Sequence, residues 1–274
     1  MEYLILFFLL IFGLIIGSFL NCLIWRLHKN ESLLDRSYCP KCKQMIVWYD
    51  NIPVLSFILL RGKCRQCQEK ISWQYPIVEL ITGLLFLIAF YINVKLFYLS
   101  QGNPLTGGLD FGFILNSKFL ILNLKDFFII AVMIVIFIYD LRWYLILDSI
   151  TLPASALVLV FNLILGISWF SLLISAIIGI SFFLIQFLIS RGKWIGGGDI
   201  RLGLLMGLAL GRYDLLILAI ILAYFAGSIV GLFLIYTGRK EWGGKVPLGV
   251  FLTFATIISL FWGSEIINWY LSLF

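Results

Sequence analysis

The sequence predicts an all-α polytopic membrane protein, with about eight transmembrane helices and a small cytoplasmic loop domain stapled by zinc. Three observations carry that class. Of 274 residues, 62% are hydrophobic and 12% charged, whereas a soluble domain is about one quarter charged. Apolar runs that reach or approach the ~20 residues of a membrane-crossing helix recur along the chain. The one sizeable polar segment, 26–75, holds four of the five cysteines.

The first run, Tyr3 to Trp25, lacks the basic leading segment of a secretory signal, since only Glu2 precedes it, and its apolar stretch is too long for one. It reads as a retained helix. Further spans are expected at about 77–99, 121–141, 149–166, 169–190, 200–211, 213–236 and 248–271. The span at 200–211 is shorter than a bilayer needs, so it is tilted, extended through its loop or buried by protein. Sixteen of the 20 Lys and Arg residues fall in the loops after spans one, three, five and seven; four fall on the opposite side or its margin. That excess marks the cytoplasmic side. Both termini are then expected outside, with 26–75 and the loop around Asp199 facing the cytoplasm. The net charge of +6 is thus a topology signal and suggests no nucleic-acid partner. The outer stretch from Gln101 to Lys118, rich in Gly and Asn, reads as a flexible connection.

Three parts follow: a first helix (1–25), a loop domain (26–75) and a transmembrane part (76–274). At about 50 residues the loop domain is too small to build a large core without a staple. Cys39-Pro40-Lys41-Cys42 and Cys64-Arg65-Gln66-Cys67, separated by 21 residues, supply four thiolates at nearly zinc-ribbon spacing. Free thiols or disulfides are the competing reading. A zinc ion there ties both ends of the loop and supplies its folding energy. Four protein ligands leave no open position for substrate, so the metal is expected to be structural. Cys22, inside the first run, reads as a small buried apolar residue.

The acids carry the chemistry. In Trp194-Ile195-Gly196-Gly197-Gly198-Asp199-Ile200-Arg201, a carboxylate stands at the lip of an apolar segment, where it is expensive unless it has a task. The glycines Gly196, Gly197 and Gly198 remove side-chain bulk, so an extended peptide can approach Asp199. The plainer reading is an Asp that caps the next helix. Asp140, after the apolar run Ala131 to Tyr139, and Asp148, eight residues later, are expected at the same membrane face as Asp199. Two carboxylates brought close cannot both ionise cheaply, so one keeps a proton as acid while the other deprotonates water. The competing readings are that Asp140 pairs with Arg142 or Arg201, and that Asp148 caps its helix. Arg201 either charge-balances Asp199 or contacts a phospholipid headgroup. His28 is the only histidine, which excludes a two-histidine zinc hydrolase and leaves a Ser–His site without support.

In this order the residues resemble the bacterial prepilin peptidases, the type IV leader peptidase family. The resemblance rests on Gly17-Ser18-Phe19-Leu20-Asn21, Trp25-Arg26-Leu27, the two cysteine pairs, Asn51-Ile52-Pro53-Val54-Leu55-Ser56 and Arg61-Gly62-Lys63-Cys64-Arg65. It continues through Tyr75-Pro76-Ile77-Val78-Glu79-Leu80, Asp140-Leu141, Gly196-Gly197-Gly198-Asp199 and Pro247-Leu248-Gly249. It covers nearly the whole chain. It implies an enzyme of the bacterial inner membrane, with Asp140 and Asp199 as catalytic acids, that cuts the basic leader from type IV prepilins or pseudopilins at the cytoplasmic face. It also implies N-methylation of the new terminus with S-adenosylmethionine, for which no glycine-rich nucleotide loop is readable in 26–75. Leu147 stands where the family often has Pro, and Arg201 where it commonly has Lys. Two alternatives remain at this point. A signal-peptide-peptidase-like intramembrane protease also pairs Tyr-Asp with Gly-X-Gly-Asp, although it has a Pro-Ala-Leu motif where this chain has Pro247-Leu248. A non-enzymatic zinc-containing membrane scaffold is the other.

Overall fold

The structure, a computed structural model, describes residues 2–100, 116–239, 241 and 246–274. Most of the expected outer connection, and the basic residues Lys240 and Lys245, lie outside the described residues. Among those described, nine α-helices and no strand occur: α1 (Glu2–Lys29), α2 (Leu55–Leu59), α3 (Gln74–Ser100), α4 (Ser117–Trp143), α5 (Asp148–Ile164), α6 (Trp169–Ser190), α7 (Gly197–Leu210), α8 (Tyr213–Tyr236) and α9 (Leu248–Leu271). Six of them, α1, α3, α4, α6, α8 and α9, are long and apolar enough to cross a membrane. The other two apolar runs make shorter helices, of 17 residues in α5 and 14 in α7. Fourteen residues rise only about 21 Å, less than the ~30 Å of a hydrocarbon core. α7 begins earlier than the apolar run indicates, at Gly197, and most of its side chains are buried by protein.

Two compact units divide the chain, Met1–Ile134 and Val135–Phe274, with the boundary inside α4. In the first unit α1 lies against α3 through glycines. A Cβ at Gly13 would stand 2.6 Å from the Gly83 Cα, and one at Gly17 would stand 2.7 Å from the Glu79 Cα. Such small residues let helix backbones approach closely where hydrophobic exclusion gives no drive. Elsewhere in this unit the Asn93 amide donates to Asp126 Oδ2 at 2.9 Å and to Asn123 Oδ1 at 3.3 Å, which links α3 to α4.

In the second unit the short α7 is the core. It runs antiparallel to α6, with Gly203 against Gly179 and Gly207 against Ser175. The Asn162 amide of α5 donates to the Leu208 carbonyl at 2.6 Å, and the Ser171 hydroxyl of α6 donates to the Gly211 carbonyl at 2.8 Å. Gly211, at φ 66°, ends α7 with the left-handed residue that glycine adopts without strain. α7 is therefore fixed in depth along its whole length, and so is the residue in its first turn that carries the carboxylate.

A Cβ at position 203 would stand 2.5 Å from the Gly179 carbonyl oxygen and 2.6 Å from the Phe183 ring, and the backbone contact has no rotamer to relieve it. Gly203→Ala is expected to destabilise the protein by about 1–3 kcal/mol. At Gly231, in α8, nothing lies within 4 Å of the added carbon, so Gly231→Ala is the matched control, neutral or slightly stabilising. Thermal unfolding of both variants in detergent measures the difference.

Candidate active site and metal centre

Asp140 sits in the last turn of α4. Its carboxylate is buried, and Oδ2 accepts the Val250 backbone N–H at 3.1 Å; the Gly249 N–H also engages it. A Cβ on Gly249 would stand 2.8 Å from that oxygen, so glycine is what lets the carboxylate reach the start of α9. The first N–H groups of a helix have no partner within it, and the helix dipole favours negative charge there. The turn around Pro247-Leu248-Gly249 thus presents main-chain N–H donors to the Asp140 carboxyl group.

Asp199 is the third residue of α7 and also buried. Its Oδ2 accepts the Gly196 backbone N–H at 2.9 Å, the carboxylate half of a capping box; glycine has no side chain to supply the other half. Asp140 lies within coulombic range of Asp199. Ile146, between α4 and α5, touches the start of both other helices. A Cβ on Gly198 would fall 2.8 Å from Ile146 Cβ, and one on Gly249 would fall 3.1 Å from Ile146 Cδ1. The three glycines therefore differ. Gly198 packs inward on Ile146, whereas Gly196 and Gly197 are exposed and nothing lies within 4 Å of a Cβ at Gly197.

The expected ion-pair alternatives resolve in another way. Arg201 binds Asp148, at the start of α5, through a short contact between its Nη1 and Oδ1. Among the described residues neither Asp140 nor Asp199 has an ion-pair partner; both are held by main-chain N–H groups instead. Gly249, Val250 and Ile146 were not readable as site residues from the chain. Main-chain donors leave no mark in a sequence, although the Pro-Leu-Gly triplet marks where such a turn begins.

The four cysteines Cys39, Cys42, Cys64 and Cys67 converge, with all four sulfurs within 4.8 Å of one another and the Cys39 and Cys67 sulfurs 3.9 Å apart. Tetrahedral zinc with bonds of 2.3 Å sets its sulfurs about 3.8 Å apart, so the cluster fits that ion. Each pair lies on the same kind of turn. The Cys39 N–H donates to the Gln44 carbonyl and the Cys64 N–H to the Glu69 carbonyl, at 2.9 and 2.8 Å. Lys43 and Gln68, which follow the second cysteine of each pair, both have left-handed φ, 60° and 58°. Backbone N–H groups of Cys67 and Gln66 point at the Cys64 sulfur and lower its thiol to about 7, which favours the ligating thiolate. Arg65 clamps Asp50 with bonds of 2.8 and 2.6 Å and thereby holds its carboxyl below the usual range. Cys22 is half-buried in α1 rather than enclosed.

A second polar cluster ties this loop to α3. The Val54 N–H donates to Glu79 Oε2 at 2.7 Å, and Val54 holds φ 60°, an unusual value for a β-branched residue. Asn21 receives the Gln74 amide at 3.1 Å and donates to the Tyr75 carbonyl at 3.1 Å, and the buried Arg26 guanidinium donates to the Ser32 and Asp35 carbonyls. Asn21, Arg26, Val54, Tyr75 and Glu79 fall within the motifs that carry the family resemblance, which attach no role to them, and Ser32, Asp35 and Gln74 lie outside those motifs.

Two family models match the chain. The Bacterial Peptidase A24 N-terminal domain matches residues 11–93, which contain the cysteine cluster and the Glu79 contacts, and the Type IV leader peptidase family matches residues 127–234, which contain both aspartates. A protein named prepilin leader peptidase/N-methyltransferase from Legionella pneumophila is 30% identical over 291 residues, covering 95% of this chain and 92% of that protein. One of the same name from Bacillus subtilis is 29% identical and covers 97% of both chains, and one from Vibrio cholerae is 36% identical over 77% of this chain and 79% of its own. No solved structure matches. With both models matched in order, and a relative of 30% identity aligned almost end to end, this chain belongs to the type IV leader peptidase family.

Proposed function

We propose that this protein cleaves the leader peptide of type IV prepilins or pseudopilins and N-methylates the residue exposed, with Asp140 and Asp199 as the acid–base pair of cleavage. The observation that carries the assignment is that two buried carboxylates lie within coulombic range of one another and neither has a cationic partner among the described residues. Neighbouring acids without cations share a proton and titrate as a unit. The ionised member takes a proton from water as it attacks the scissile carbonyl, and the protonated member donates to the developing amine. The N–H groups of Gly249, Val250 and Gly196 hold both side chains in orientation. Gly196 and Gly197, open on the outer side, give the peptide backbone room to approach.

In this reading residues 76–274 are the peptidase part, preceded by a first helix at 1–25, and 26–75 are a zinc-stapled loop domain. α5 and α7 complete eight membrane passes, and the excess of Lys and Arg sets the site at the cytoplasmic face of a bacterial inner membrane. Bound zinc ties Cys39 and Cys42 to Cys64 and Cys67 and so closes the loop. S-adenosylmethionine supplies the methyl group; among the described residues of 30–73 no strand–glycine loop–helix element occurs, so no residues are assigned to it.

Asp140→Asn and Asp199→Asn are each expected to lower leader cleavage by at least about 10²–10⁴-fold while the chain still inserts in membranes. Mass analysis of a prepilin's N-terminus reads both cleavage and methylation, and normal cleavage by either variant would exclude the pair. One zinc per chain is expected by elemental analysis, with loss of the metal in Cys39→Ser and Cys64→Ser. In chelator-treated protein, Cys64 should alkylate with a midpoint near pH 7, faster as pH rises because the thiolate reacts, and zinc should protect it.

A further inference from the structure

The proposed acid–base pair leaves Asp148 unused. Asp140 and Asp199 are 6% and 7% exposed, but the Asp148 side chain is 49% exposed and that of its partner Arg201 43%. Both stand where α5 and α7 begin, at the end of α7 that carries Asp199. Asp148 opens α5 two residues after Ile146, whose side chain meets the starts of α7 and α9, and Arg201 follows Asp199 by two residues. The nearby connections are basic, with Arg142, Arg191 and Lys193 exposed, and Asp148 is the sole acid between positions 141 and 198.

We propose that Asp148 docks a cationic side chain, lysine or arginine, of the peptide to be cleaved, and that Arg201 occupies this position until the peptide arrives. The proposal rests on the peptidase reading and adds a specificity residue to it. A basic rim repels a cationic peptide. One exposed carboxylate at that end of the helices reverses this locally and fixes where along the peptide the charge must fall. Displacing Arg201 costs little, because ion pairs between exposed side chains are weakly held. The released guanidinium returns to water, so no charge is left buried. A pair that served only to strap α5 to α7 would need no polarity, and this separates the two roles.

The test uses the purified full chain and two prepilins, one with lysine or arginine before the cleavage site and one with those residues changed to glutamate. Cleavage of neither by the wild type would remove the peptidase reading, and this proposal with it. Given wild-type cleavage, the double variant Asp148→Arg with Arg201→Asp keeps an ion pair of reversed polarity. It is expected to raise KM for the cationic prepilin about tenfold and to prefer the glutamate one. Wild-type preference in that variant would overturn the proposal. Should the double variant cleave neither substrate, Asp148→Asn decides. KM for the cationic prepilin is then expected to rise about fivefold at unchanged kcat, with no further rise when the leader cations are neutralised. A fall in kcat at constant KM would overturn the proposal.

Discussion

Two carboxylates buried among apolar helices, with main-chain N–H groups in place of cations, are the constraint to which the second unit is built. Burying an acid without a counter-ion is costly, and a positively charged side chain beside it would be the simplest remedy. This protein uses the open ends of helices instead. The start of α9 is aimed at Asp140, and Asp199 caps the start of its own helix through Gly196. Oriented amides stabilise negative charge without quenching it, as the proposed acid–base pair requires.

That solution makes demands elsewhere. The start of α9 reaches Asp140 only because position 249 has no side chain, and the start of α7 reaches Ile146 only because position 198 has none. α7 cannot drift along its axis, since Gly203 and Gly207 bring its backbone against α6, and Asn162 and Ser171 bind its far end. A helix of 14 residues is short for a bilayer, and most of α7 is enclosed by protein. The first unit shows the same economy at another place. Glu79 accepts the amide of a strained Val54, so the cysteine-bearing loop is tied to α3 by a carboxylate and not by an apolar core.

Much of this was legible in the chain, for identifiable reasons. Long apolar runs give helices that cross membranes because the backbone must bond to itself there, and six of the expected runs became such helices. Two Cys-X-X-Cys pairs gave one four-sulfur cluster because thiolate ligation fixes both spacing and residue type. What the chain withheld was main-chain chemistry. Gly249 and Val250 act through N–H groups that every residue has, and Ile146 through shape alone. The glycines before Asp199 read as a loop that leaves room for a peptide, but two of them open α7, where the acid at the third helical position accepts the Gly196 N–H. Asp148, read as a helix cap, and Arg201, read as a partner of Asp140 or Asp199 or of a phospholipid headgroup, found one another across 53 positions.

The central claim is that residues 140 and 199 act as one unit, and residual rates test it most directly. Leader cleavage should be measured for Asp140→Asn, Asp199→Asn and the double variant under single-turnover conditions, with folding checked by thermal unfolding. Residues that share one proton transfer lose their effect together, so the double variant should be no slower than the slower single variant within about threefold. A double variant slowed by the product of the two single losses would mean two independent contributions, and the shared acid–base pair would be contradicted.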